Sequence, residues 1–123
     1  MLMIRKLQKE ALVRASLERF VDVVAVHLRQ HFPLECRAMG EPLVREKVRQ
    51  GIASASRHDV RIQQDVCRYV VLAFVLGDGF DADPKLPWAG EILRDESIKS
   101  QTSRIHHLYR RAQEHLRAPR GPA

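Results

Sequence analysis

The chain has 123 residues, of which 45% are hydrophobic and 29% charged, with only 6 glycines and 6 prolines. That length fits one domain. More than a quarter of the residues are Val, Leu, Ile or Phe, above the roughly 20% below which chains tend to stay disordered, so disordered, collagen-like and low-complexity classes are excluded. The formal net charge is +6, with both ends basic and the middle mildly acidic. A basic balance bears on association with anions rather than on fold, and this one is more dispersed than in a dedicated nucleic-acid module.

The first predicted helix runs from about Ile4 to Gln30. Val13, Leu17, Phe20, Val21, Val24 and Leu28 recur at steps of 3 and 4, a helical stripe expected to face the core. Pro33 ends it, because the residue before a proline is pushed out of the α region, and His31 is expected to unwind with it. A second helix starts near Glu41-Pro42, where a proline in the first turn costs no hydrogen bond. Val44, Val48, Ile52 and Ala55 form its apolar stripe. Gly51 on that helix either weakens it or allows a close helix crossing. Arg57-His58-Asp59 reads as a link.

The third helix, about Ile62 to Leu76, is polar in its first turn and then apolar all round, the mark of a buried helix. Gly77 is a natural residue just past its end. Gly77 to Leu86 is turn chemistry, rich in Gly, Asp and Pro. Pro87 opens a short helix over Trp88 to Arg94. The last helix, about Ser97 to Arg117, carries Ile98, Ile105, Leu108, Tyr109, Ala112 and Leu116 on one face. These elements predict an all-α fold. It is a single small helical bundle of four main helices over 1–117, plus a short helix after the Gly/Asp/Pro loop. Residues 118–123 are expected to be a frayed tail.

The candidate chemistry is sparse. Cys36 and Cys67 make neither a C-x-x-C pair nor a Cys/His metal spacing, and two thiols suit a reducing compartment. His27 and His31 are four apart, but lack the Glu of H-E-x-x-H. His106 and His107 point about 100° apart on a helix and cannot chelate one ion as a pair. Asp78, Asp81 and Asp83 invite a calcium reading, yet the EF-hand pattern fails from either start. No nucleophile elbow and no glycine-rich phosphate loop occurs. The chain is therefore expected to be no enzyme and to hold no metal or cofactor. Arg104, Arg110, Arg111 and Arg117 lie on the polar side of the last helix, but few aromatics remain to stack on bases. The N-terminal segment has charges every few positions, unlike a secretory signal. The longest apolar run, Tyr69 to Leu76, is far short of the ~20 residues a membrane span needs. A cytoplasmic protein with no membrane partner is expected.

The most distinctive stretch is the loop from Gly77 to Trp88. Phe80 and Trp88 are large apolar groups in polar surroundings, so each pins the loop to the core or anchors a partner. Pinning is the preferred reading for Phe80. Asp78, Phe80, Asp81, Asp83 and Trp88 are the candidate partner-binding residues, with the aspartates as a negative collar suited to a basic partner.

The segment DVCRYVVLAFVLGDGFDADPKLPWAGEILRDESIKSQTSRIHHLYRRAQEHL, Asp65 to Leu116, resembles a family of small uncharacterised helical bacterial proteins. Its members read roughly D-V-x-R-Y … F-x-L-G-x-x-F-D-x-D-P … P-W-A-x-x-I-L-x-D … R-I-x-x-L-Y-x-x-A. Phe20 and the stretch His27 to Cys36 resemble it as well, so the likeness covers most of the chain. Its motifs are structural. Arg61 and Ile62 stand where the family usually has a helix-capping Thr-Ser pair. Such proteins tend to be encoded beside type VI secretion spike, tip and effector genes. The resemblance thus implies an accessory role, as adaptor or co-chaperone for a secreted effector or spike component, and no catalytic residue. The alternatives are a basic nucleic-acid-binding regulator and an effector immunity protein.

Overall fold

Where apolar residues recur at steps of 3 and 4, the described chain is helix. The structure, a computed structural model, describes residues 2–117, without the side chains of 2–4, 6 and 7. The tail expected at 118–123 lies outside the described residues. The fold is all-α, 81% helix, with no strand among the described residues. Six helices replace the expected four plus one: α1 Leu2–His31, α2 Pro33–Met39, α3 Glu41–Arg57, α4 Gln63–Leu76, α5 Pro87–Leu93 and α6 Gln101–Arg117, with a 3-10 turn at Phe80–Ala82. The chain divides within α3 into two compact units, Met1–Arg49 and Gln50–Ala123. No helix among the described residues is long and apolar enough to cross a membrane.

In the first unit, the expected stripe on α1 is buried only in its C-terminal half. Val21, Val24, Ala25 and Leu28 are fully buried, whereas Val13 and Leu17 are 61% and 41% exposed. The ion pairs show why. Arg29 meets Glu41, Arg45 meets Asp22 at 2.6 Å, and Arg49 meets Glu18 at 3.0 Å. The first half of α3 therefore runs antiparallel to α1 and reaches back only as far as Glu18. Within this unit no described element covers α1 before that point. Exposed ion pairs add little stability, so the ladder serves mainly to set the register of the two helices. The guanidinium of Arg49, then that of Arg45, holds the Glu18 carboxyl below its usual range despite some desolvation.

The added helix α2 corrects the reading of Pro33 as a stop alone. Pro33 sits in its first turn, where its missing N–H would have no partner, so the residue that ends α1 also starts α2. Helix α1 continues through His31 rather than unwinding there. The turn after α2 is closed by Gly40 at φ 84, whose N–H donates to the Cys36 carbonyl. Cys36 itself is buried.

The second unit is built on a close crossing. A Cβ placed on Gly51 would lie 3.0 Å from Val70 Cγ2 and 3.4 Å from Val70 Cα. The glycine thus lets the backbones of α3 and α4 approach, the second of the two readings of this residue. Helix α3 ends in a Schellman pattern, with Val60 N–H donating to Ala55 C=O and Asp59 N–H to Ser56 C=O. Asp59 takes the left-handed position at φ 59, so the link falls where it was expected. Helix α4 buries Val66, Tyr69, Val70, Leu72 and Ala73, but leaves Val75 37% exposed; it is therefore not buried all round. One buried group is charged: Asp65, 1% exposed, accepts from Thr102 Oγ1 at 2.7 Å and from Arg68 at 3.3 Å. It ties α4 to α6, whose Ile105, Leu108 and Ala112 are buried. The helix α6 itself begins at Gln101, later than the expected Ser97, because Asp95 turns the chain by accepting from the Ser97 amide and hydroxyl.

Candidate partner-binding surface

The loop after α4 is fixed by three side chains from inside. Phe80 is 1% exposed and lies 5.1 Å, ring to ring, from the fully buried Tyr69. The Tyr69 hydroxyl is 2.7 Å from Ser54 Oγ on α3. His58 Nε2, just past α3, lies 2.7 Å from Asp81 Oδ2, both side chains being mostly buried. Burial pushes the Tyr69 phenol up to about 12, partly offset by the Ser54 hydrogen bond. Gly79, at φ 75, makes the turn into the 3-10 segment, a left-handed position that glycine takes without strain. Beside these groups is a cleft of about 290 Å³ lined by Gln50, Gly51, Ser54, Arg57, Asp78 and Phe80, among others.

The five candidate residues therefore have different surroundings. Phe80 is buried and pins the loop, as preferred from the sequence. Asp81 is engaged by His58. Asp83 accepts from the Lys85 amide at 2.9 Å, the local bond by which an aspartate shapes its own turn. Asp78 is exposed. The carboxylates of Asp81 and Asp83 are thus used within the fold of the unit.

Trp88 lies in the first turn of α5, directly after Pro87. It is half-buried. The Arg111 guanidinium sits 4.9 Å from its ring centroid, and the His115 ring lies 5.7 Å away, tilted by 48°. Helix α5 is held close beneath by Gly90, where a Cβ would come within 2.9 Å of the Asp81 carbonyl. Trp88 is therefore clasped by the cationic side of α6, neither inside the core nor free in solvent. On the same helix, His106, His107, Arg110 and Ser103 line a shallow groove of about 130 Å³. Arg104, grouped with these cations in the sequence, turns inward instead and donates to the Ile98 carbonyl at 2.8 Å.

The histidine pair at the end of α1 has ring centroids 4.3 Å apart. Among the described residues no three His, Cys, Asp or Glu side chains come together as metal ligands would. Burial raises both thiols, Cys36 and Cys67, above their usual range, which disfavours the reactive thiolate. Two residues with clear roles were missed in the sequence. His58 falls in the expected link, though its position one turn after Ser54 on α3 marks a shared face. Gln101 was not singled out, yet its side-chain oxygen accepts from the Arg61 and Ile62 amides, at 2.7 and 3.1 Å. It ties the segment entering α4 to α6. Comparison with protein-family models, with curated proteins and with solved structures finds no match for this chain.

Proposed function

We propose that this chain is a non-enzymatic helical protein that binds another protein, through a surface formed by the loop from Gly77, by α5 and by the adjoining side of α6. The observation that carries it is Trp88. A tryptophan held at the surface by a proline before it and a guanidinium over it is ordered before binding, which limits the entropy lost on association. Such aromatic anchors dominate the energetics of protein interfaces. The class of partner comes from the resemblance of Asp65 to Leu116 to helical proteins encoded beside secretion genes. On that reading the chain is a cytoplasmic adaptor or co-chaperone for a type VI effector or spike component.

The test is capture from the native cell with the full chain, identified by mass spectrometry, beside Trp88→Ala. Wild type is expected to enrich one secreted effector or spike protein. The variant, folded by circular dichroism, is expected to lose it. Equal capture by both, or enrichment of no such protein, overturns the reading.

A further inference from the structure

Helix α6 carries Arg104, Arg110, Arg111 and Arg117 with three histidines, against Glu114 alone. Some arginines of the other helices are matched. Arg45 and Arg49 both reach Glu18, and Arg45 also reaches Asp22. Arg110, Arg111 and Arg117, by contrast, form no ion pair among the described residues. Arg110 and Arg117 are exposed, and Arg111 is half-buried against Trp88. A guanidinium lying over a ring is held in place by the ring's electron-rich face, while its N–H groups remain to be used. Those donors form a fork that fits a carboxylate.

We infer that Trp88 and Arg111, with the exposed Arg110 next to Arg111 on α6, bind an acidic segment of a partner protein. Carboxylates of that segment pair with Arg110 and Arg111, and an apolar neighbour lies along the open edge of the indole. The inference deepens the protein-binding reading above and rests on it. It also reverses the sign of charge expected from the loop, because the side chains that pack on Trp88 are Arg111 and His115 of α6, while the carboxylates of Asp81 and Asp83 turn to His58 and to the Lys85 amide. Single-stranded nucleic acid would be the other anionic occupant. It needs a free aromatic face on which to stack a base, and here Arg111 lies over the ring and His115 sits beside it.

Trp88 is the sole tryptophan, so its fluorescence in the full chain reports on this face alone. The probes are a short synthetic peptide of Glu-Glu-Leu repeats, the same peptide with Lys for Glu, and a single-stranded DNA oligonucleotide of mixed sequence. The Glu peptide is expected to shift the emission saturably, and to bind more weakly as salt rises. Arg110→Gln with Arg111→Gln is expected to weaken it about tenfold or more, the scale on which paired interface charges act. Arg110→Glu alone, at an exposed position, gives the same direction of change where the double variant folds poorly. Binding of the Lys peptide as tightly as the Glu peptide overturns the acidic-segment inference and leaves the protein-binding reading standing. Tighter binding of the oligonucleotide than of either peptide overturns both. No response to the Glu peptide overturns this inference alone, since partner capture tests the wider reading by a different measurement.

Discussion

The crossing of α3 and α4 at Gly51 is open to a direct test by Gly51→Ala. In an uncrowded helix interior the change is stabilising by about 1 kcal/mol, because glycine pays more backbone entropy than alanine. Here the new methyl would meet Val70 Cγ2 at 3.0 Å and the Val70 backbone at 3.4 Å. A β-branched valine in a helix has one strongly preferred rotamer, and Val70 is 1% exposed, so its methyl has nowhere to turn. Overpacking of this kind costs roughly 1–3 kcal/mol. The net expectation is a loss of about 1 kcal/mol. Val70→Ala alone removes two buried methyl groups, at about 0.8 kcal/mol each with a cavity term added, so it costs about 2 kcal/mol. In the double variant the new methyl enters the space the valine vacates. The helix-propensity gain then reappears, and the total loss is expected to be about 1 kcal/mol rather than the sum of about 3. Urea unfolding of all four proteins, followed by far-UV circular dichroism, measures the coupling. Gly51→Ala stabilising by the full propensity difference, with the two changes additive, would show that the helices do not cross at this glycine.

Three further outcomes follow from buried groups. Tyr69, pushed up to about 12 against about 10 unfolded, contributes stability that is complete below pH 10 and is lost as pH rises toward 12, on the order of 3 kcal/mol. Wild type is therefore expected to lose stability across that window more steeply than Tyr69→Phe, and parallel alkaline unfolding curves would refute it. Thr102→Val leaves Asp65 without its shortest hydrogen bond and is expected to cost about 2 kcal/mol. Adding Asp65→Leu should recover part of that loss, because an apolar pair replaces a half-satisfied polar one, and a still larger loss would count against the assigned bond. Cys36 and Cys67, both raised by burial, are expected to react with a disulfide reagent at least about tenfold more slowly in the folded protein than in denaturant; equal rates would place them at the surface.

The helix class was legible because apolar spacing is a local property, and local properties survive in one dimension. Val44, Val48, Ile52 and Ala55 could be assigned to one face before anything was known of what they face. The extent of burial was not legible for the same reason. Val13 and Leu17 belong to the same stripe as Val24 and Leu28, and what separates them is how far the first half of α3 follows α1, to an ion pair between Arg49 and Glu18. Helix α2 was missed because seven residues are too few to show a period. Its start was written in Pro33, a residue that reads equally well as an end.

At the surface around Trp88 the difficulty was of another kind. The sequence places three aspartates within ten residues of the tryptophan, and Arg110, Arg111 and Arg117 of α6 more than twenty residues away, so proximity along the chain suggests an acidic environment. Space reverses this. His58 sits 2.7 Å from the Asp81 carboxylate, the turn itself uses that of Asp83, and Gly90 lets α5 lie close against the 3-10 turn. Helix α6 then packs its Arg111 over the indole. A guanidinium held by a ring keeps its N–H donors for a partner. The charge that a partner meets at Trp88 is therefore decided by what the fold packs against the indole, and that is the Arg111 side of α6.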